Sequence, residues 1–474
     1  MKGEKMKIES IKERLEGCLG KLDLPELGEV DRGKVRDCYE LKGRRLIVAT
    51  DRVSAFDRVF DELIPFKGQV LNQLAAYFLR QAEEIIPTHL IETPDPNVTL
   101  AKEAKVFPVE VIVRGYLTGS AWRDHENECF EKNYGLSLPA GLVRNSKLSK
   151  VIVTPTTKSN LGHDLPIDRA EAARLVGGRE TWDEIERVAL ALFRQGSAHA
   201  EGRGLILVDT KYEFGLVENR LTLIDELHTP DSSRYWYLDS FEADPQNPRQ
   251  LSKEFLREWL RAQGFEGEGP LPVLGEEIRT ELSLRYLEVF ETLTGREIIE
   301  KSEKSESIES RITSMLRERG YLGGLVSILM GSASDGAIAD KVVRTLERFG
   351  VASRVEVASA HKVPERVLGI IEKHNRSPRP IVHITIAGRS NGLSGVAAAN
   401  SVHPVIALPA FKDQADYLVN IHSSLQLPSE TPALTVIDPQ NAAMAAIRIL
   451  SHSDENLRKR VLAGIAEMKS RFND

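Results

Sequence analysis

Near residue 300 the pattern of this chain changes, and that change limits the fold more than any other feature. The stretch 299–310, IEKSEKSESIES, is polar, charged and serine-rich, as a solvated linker or an exposed helix would be. After it the sequence alternates strand, turn and helix: LVSILM, GSASD, AIADKVVRTLERFG, SRVEVAS, PERVLGIIEKHN, PIVHITIAG. That alternation predicts a parallel sheet covered by helices on both faces, an α/β three-layer unit. Before the break, strand-like runs at Leu46–Ala49, Val109–Val113, Leu205–Val208 and Leu221–Ile224 are separated by helices and long polar loops, which predicts α+β. Helices are expected over Leu71–Ala82 and Trp182–Ala200, with a Gly/Pro-rich loop at 262–272. With 474 residues the chain exceeds one ordinary core, so the expected division is 1–300, a linker at 301–322, and 323–474.

Charge and cysteine usage narrow the class. Lys plus Arg is 63 against 70 for Asp plus Glu, a net charge of −7, which argues against a general nucleic-acid binder and leaves room for a local basic pocket. Cys18, Cys38 and Cys129 are odd in number and far apart, giving neither a disulfide framework nor a CxxC metal pair, so a reducing cytoplasm is expected. The N-terminus, MKGEKMKIESIKERLEG, reads as a charged amphipathic helix without a secretory apolar core, and no run of 18 or more apolar residues predicts a membrane span.

Three segments of the first part carry chemistry. LILVDTKYEFG and LTLIDELHTP read as a hairpin in which Asp209, Lys211 and Glu213 share one face. A register placing Glu213 opposite Asp225 would bring two carboxylates together around a cation, for which magnesium on nucleotide phosphates is suited; a one-residue slip would turn Asp225 away. The alternative is a solvated hairpin edge. In FPVEVIVRGYLTGSAW a strand runs into a glycine turn, with Arg114 and Ser120 near the loop; Arg is a fork for phosphate or carboxylate, or simply caps the strand end. GKVRDCYEL followed by LIVATDRVSAFD reads as a hairpin with Lys34 and Arg36 near its glycine turn. Neither GxxxxGK[ST] nor GxGxxG occurs, so a P-loop and a dinucleotide fold are unsupported.

FPVEVIVRGYLTGS and LVDTKYEFG resemble the two diagnostic motifs of the SAICAR synthetases, and GKVRD, TDRVSAFD, KGQVLNQL and DELHTPDSSRYW stand in the expected order over about residues 30–260. The resemblance implies an ATP-dependent ligase that joins the carboxylate of CAIR to the amine of L-aspartate. It implies that Lys34, Arg36 and Glu110 belong to the ATP site, that Glu213 and Asp225 hold magnesium, and that Arg114, Ser120 and Arg234 bind the substrate's phosphate. Asp209 and Lys211 would lie at the reaction centre. A carboxylate is a poor electrophile, so ATP would first convert it to an acyl phosphate, which the amine then displaces.

In the second part three successive strands end in polar or glycine-rich loops: GSASD with Ser332 and Asp335, SAHKVP with His361 and Lys362, and IAGRSNGLSG with Arg389 and Ser390. Loops at the carboxyl ends of parallel strands form ligand crevices, whereas helix capping accounts for one residue of the first loop and a lone His is commonly structural. GSASD, SAHK and AGRSNGL resemble the AIR carboxylases over about residues 325–450, which implies a flavodoxin-like fold. The resemblance implies that His361 moves a ring proton while Ser332, Asp335, Lys362, Arg389 and Ser390 bind nucleotide or carbon dioxide. SAHK with AGRSN is similar to the form that uses carbon dioxide or bicarbonate; SGVAAANS and NAAMAA depart from it, and leave a mutase acting on a carbamate isomer, or a non-catalytic nucleotide module, as alternatives. The expected chemistry is carboxylation of AIR to CAIR, then ATP-dependent condensation with aspartate to SAICAR. The same resemblance implies a homo-octamer built through the C-terminal domain.

Overall fold

The computed structural model describes residues 2–41, 43–158, 164–251, 254–298, 307–388 and 390–472. They form two compact units, Met1–Ile308 and Glu309–Asp474.

The first unit is α+β. One antiparallel sheet has the order β1 (Val30–Arg32), β2 (Arg36–Glu40), β3 (Arg44–Ala49), β7 (Val98–Lys102), β6 (Leu90–Asp95). A small hairpin, β4 (Arg52–Ala55) with β5 (Arg58–Leu63), follows β3 in sequence. The second sheet runs β11 (Arg220–Ile224), β10 (Leu205–Val217), β8 (Lys105–Tyr116), β9 (Lys147–Thr157), and β12 (Ser233–Tyr237) also pairs with β10. The helix expected at 182–200 spans Arg179–Glu201 and buries Trp182, Ile185, Val188, Ala189, Leu192 and Phe193, one stripe of a 3.6-residue period. That stripe packs on Val109, Val111 and Val113 of β8 in the same core as Leu71 and Leu74 of helix Lys67–Ala82. Gly68 opens that helix against β3, where a Cβ would stand 2.4 Å from the Ala49 carbonyl oxygen.

The second unit has five parallel strands ordered β14 (Ala352–Val357), β13 (Leu325–Met330), β15 (Ile381–Ala387), β16 (Val405–Pro409), β17 (Leu434–Thr435). This 2-1-3-4-5 order is the flavodoxin-like one. Alternation along β13 feeds two cores. Val326, Ile328 and Met330 face helices Gly336–Arg348 and Pro439–Leu450, while Leu329 meets Val367 of helix Pro364–Asn375 and Leu393 of helix Gly392–Asn400.

The stretch expected as a linker differs in the structure. Its residues 301–306 lie outside the described ones, but helix Ile308–Glu318 follows, and the second unit begins within it. Ile308, Ile312, Met315 and Leu316 form an apolar stripe among charged neighbours, and they are buried.

Candidate active sites

The register of β10 builds the first site. Asp209 is paired with Arg114 of β8 on one side and with Arg234 of β12 on the other. Its Oδ2 lies 3.0 Å from the Arg114 guanidinium and 3.6 Å from that of Arg234. Arg114 is 2% exposed and fully engaged, donating also to Thr154 Oγ1 at 2.8 Å and Ser120 Oγ at 3.0 Å. It therefore stands behind the wall of a cavity of about 1090 Å³, while Gly119, Ser120 and Arg234 line that wall with Arg123, Arg257 and Arg261. Gly119 has φ 60°, and a Cβ there would meet the Arg234 guanidinium at 2.1 Å; the glycine lets Arg234 lie flat against the turn.

Two residues along the same strand face, Lys211 donates to Glu110 at 2.6 Å and to Glu213 at 2.8 Å. Lys158, at the end of β9, pairs with the other Glu213 oxygen. Burial pulls Lys211 down, but Glu213, Glu110 and Asp225 outweigh it and hold the ammonium well above its ordinary value. Burial also raises Glu110, against the pull of Lys211.

The hairpin register corrects one expectation. Glu213 pairs with Ile224, not Asp225. Asp225 follows the last ladder pair and has φ 64°, so strand alternation ends before it. Its carboxylate accepts from Arg36 at 2.6 Å, and Arg36 also reaches Glu226 at 2.6 Å. Burial disfavours the Asp225 anion, yet Arg36, Lys211 and Lys158 drive its pKa far below the usual carboxylate range. Glu213 and Asp225 thus share the field of Lys211 and Lys158 without facing each other across the ladder.

Lys34, on the loop before β2, pairs with Asp57 at 2.5 Å, and both side chains are more than half exposed. Arg52 holds that loop by donating to the carbonyls of Gly33, Lys34 and Arg36 and to Asp37. Sequence patterning had not singled out Lys158, Glu226 or Arg52. Glu226 and Arg52 lie within LTLIDELHTP and LIVATDRVSAFD and Lys158 within none of the motifs, but only the folded chain shows what they hold. Among the described residues no group of three His, Cys, Asp or Glu side chains is arranged to hold a metal by itself.

In the second unit the three loops gather at the carboxyl ends of the adjacent strands β14, β13 and β15. The Ser332 side chain accepts from the Ser334 amide at 3.3 Å and from its hydroxyl at 2.8 Å, ordering the turn. Burial raises the Asp335 carboxyl above its usual value, opposed by hydrogen bonds from Ser332 and Ser334. His361 and Lys362 are exposed. A Cβ on Gly392 would lie 3.1 Å from the His361 ring, so the second loop touches the third. Asn391, 2% exposed, ties the third loop down: its amide nitrogen donates to Ser424 Oγ at 2.8 Å and its oxygen accepts from Ser394 Oγ at 2.6 Å. Ser390 is exposed at the tip beside it, and Arg389 lies outside the described residues.

Comparison with known proteins agrees with both units. A family model described as SAICAR synthetase matches residues 29–271, and one described as AIR carboxylase matches residues 325–471. Over 306 residues the chain is 45% identical to the phosphoribosylaminoimidazole-succinocarboxamide synthase of Bacteroides thetaiotaomicron, a match covering 62% of this chain and 96% of that protein. It is 43% identical over 294 residues to the synthase of the same name from Legionella pneumophila, covering 60% of this chain and 92% of that protein. The solved structure of SAICAR-synthase from Saccharomyces cerevisiae complexed with SAICAR superposes with a TM-score of 0.53 at 33% identity, over 59% of this chain and 99% of that one. With its ligase motifs set in the matching fold and an AIR carboxylase domain behind them, the chain belongs to the SAICAR synthetase family and is an enzyme of purine biosynthesis with ligase and carboxy-lyase-type units.

Proposed function

We propose that the second unit carboxylates AIR with carbon dioxide to give CAIR, and that the first condenses CAIR with L-aspartate at the expense of ATP to give SAICAR. The observation that carries this reading is the row on β10, where Asp209 braces the arginines and Lys211 sits between two carboxylates beside an arginine-rich cavity.

In the ligase, a carboxylate oxygen of CAIR attacks the γ-phosphorus of ATP, and ADP leaves. The aspartate amine then adds to the acyl carbon, loses a proton and expels phosphate. Negative charge gathers on the transferring group, so fixed cations supply the stabilisation. Lys211 stays protonated because its carboxylate neighbours outweigh burial, and with Lys158 it can swing from those carboxylates to incoming phosphates. Lys34 and Arg36 would meet the ATP phosphates, with Glu110 setting the position of Lys211. Arg234 and Ser120 would hold the nucleotide's phosphate from the cavity wall, with Arg114 positioning Ser120 and Asp209 from behind. The hard oxygen donors of Glu213 and Asp225 suit magnesium, which is commonly held by one or two carboxylates plus substrate phosphates. When bound there it would neutralise phosphate charge.

In the carboxylase, the electron-rich ring carbon of AIR attacks carbon dioxide, forming the C–C bond, and the ring proton passes to His361. Ser332, Asp335, Lys362, Arg389 and Ser390 would hold nucleotide and carbon dioxide around it. The apolar residues Leu418 and Val419, 60% and 74% exposed on helix Gln414–Asn420, and Leu425 at 59% favour burial by further copies, in keeping with a homo-octamer through this unit. We place the enzyme in the cytoplasm; among the described residues no helix is long and apolar enough to cross a membrane.

A drop-out assay tests the whole scheme. SAICAR should form from AIR, bicarbonate, ATP, magnesium and aspartate, and omission of any one should stop it. SAICAR formed from the carbamate isomer without bicarbonate would replace the carboxylase with a mutase. ADP release independent of aspartate would overturn the ligase assignment, and sedimentation as a monomer would remove the octamer.

A further inference from the structure

The second unit has a cavity of about 720 Å³ away from the His361 loops, lined by helices Gly336–Arg348, Pro439–Leu450 and Glu455–Ser470. No residue of the GSASD, SAHK or AGRSNGL loops lines it.

Its rim is cationic. Lys341, Arg344 and Arg348 are spaced by three and four, so they project from one face of their helix, and Arg448 comes from the second helix. All four are exposed, and among the described residues none has a carboxylate within ion-pair distance. Glu467, also on the wall, is already committed to Arg471 at 2.6 Å. Arg348 lies over the Phe349 ring, 4.9 Å from its centroid, but four like charges around one hollow repel one another, and among the described residues no carboxylate neutralises them.

The floor is apolar and adaptable. It is made by Met444, Ile465 and Met468, two of them flexible thioethers, with Phe349, 4% exposed, at its base. Gly464 permits the fit, since a Cβ there would meet Phe349 Cζ at 2.9 Å. Gln440 and Asn441 present side-chain amides, each both donor and acceptor, at one end of the hollow. The volume lies within the ~300–1000 Å³ range of small-molecule sites.

We propose that this groove binds a nucleoside polyphosphate. The base lies on the Met444, Ile465 and Met468 floor and reads the two amides, while the phosphates neutralise Lys341, Arg344, Arg348 and Arg448. An inorganic anion would leave the apolar floor wet, and an apolar ligand would leave the cations unpaired. The groove shares no lining residue with either reaction centre, so its occupant would be an effector and not a substrate.

Equilibrium dialysis of the full chain with labelled ADP and magnesium tests this. The wild-type chain should bind two ADP per chain, one in the ligase site and one in the groove. R344E/R448E should bind one, with ligase turnover unchanged. The milder R344Q/R448Q, checked by thermal melting, keeps the test valid if charge reversal disturbs folding. K211M should lower the count through the ligase site alone; if it does not, the ligase assignment is at fault while the groove is still judged by the arginine variants. Equal ADP binding by the wild type and both arginine variants overturns the proposal. So does a changed sedimentation coefficient in R344Q/R448Q without loss of ADP, which would make the groove a contact between copies. Inorganic triphosphate displacing ADP as well as ATP does would overturn the role given to the apolar floor.

Discussion

The two reaction centres are prepared in opposite ways. In the ligase unit the charges stand on strands or just past a strand end, sheltered and already paired: Asp209 between two arginines, Lys211 between two glutamates, Asp225 against Arg36. In the carboxylase unit His361, Lys362, Ser332 and Ser390 stand on loops in solvent, with buried Asn391 tying down the third loop. The difference follows the chemistry. A polyanionic transition state requires cations held in place, and holding them requires counter-charges when the substrate is away. Proton transfer from a neutral ring requires one titratable group in reach. It follows that the ligase site contributes to the stability of its fold, whereas the carboxylase site can lose its central residue at little structural cost.

The most severe test of that contrast is His361→Asn. Carboxylation should fall by about 10²–10⁴-fold, the usual contribution of a positioned acid–base group. Ligation of supplied CAIR should be intact. The exposed ring makes no hydrogen bond to the described residues, so melting should move by less than about 0.5 kcal/mol in equivalent stability. Carboxylation surviving in this variant would remove His361 from the reaction.

Lys211→Met is the counterpart. Ligase kcat should drop about 10²–10³-fold, as for the loss of one preorganised donor to a developing anion. Here stability should fall too, by roughly 2 kcal/mol, because Glu110 and Glu213, 9% and 4% exposed, would lose a shared cation. An unchanged melting temperature would erase the distinction between the two sites.

Gly119→Ala probes the ligase cavity more gently. The left-handed backbone costs a residue with a Cβ about 1–2 kcal/mol, and the methyl would displace the Arg234 guanidinium. The KM for CAIR should rise about tenfold, the equivalent of 1.4 kcal/mol, with carboxylation untouched. A change confined to the KM for ATP would instead put the phosphate of CAIR somewhere other than beside Arg234.

How far the sequence revealed these sites depended on what organises each. The second unit was legible in outline, because strand–helix alternation and loops at strand ends have a local signature; GSASD and SAHK lie where that alternation puts them. The grouping of Asp209, Lys211 and Glu213 on one face of β10 was legible as well, since a period of two is a property of any strand. The pairing of Glu213 with Asp225 was not, because a single left-handed residue at Asp225 ends the alternation, and nothing in LTLIDELHTP marks it. Nor could spacing place Arg114 behind the wall, or bring Lys158 to Glu213 across 55 residues. Those depend on which strands are neighbours, which is a long-range property. The helix at Ile308–Glu318 was hidden by its charged and serine-rich surroundings, although its apolar stripe was there to count.

One further effect concerns stability alone and leaves both activities untouched, and it lies in the second unit away from its loops. His383 on β15 is fully buried, and among the described residues neither ring nitrogen is hydrogen-bonded; its ring lies 5.2 Å from that of His374 and 6.1 Å from that of His403. Burial lowers His383 to about 3 and His374 to about 4, helped in His383 by the other two rings and in His374 by Arg354, His403, Lys373 and Arg379. A histidine depressed in the folded state binds its proton more readily in the unfolded chain. The stability is therefore complete above the unfolded value of about 6.5 and is lost as pH falls from there toward the folded values. At pH 5 each neutral histidine costs about 2 kcal/mol relative to pH 8, equivalent to about 4–8 °C in Tm for a unit of this size. His383→Leu removes one such group, so the acid-induced drop in the second unit's Tm should shrink by about half while that of the first unit, with His89 and His228 lowered to about 4 and about 3, stays as it was. Differential scanning calorimetry at pH 8 and pH 5 reads both transitions in one chain. If the second transition kept its full acid shift in His383→Leu, the sensitivity would have to come from His374 and the charges around it, or from contacts between copies.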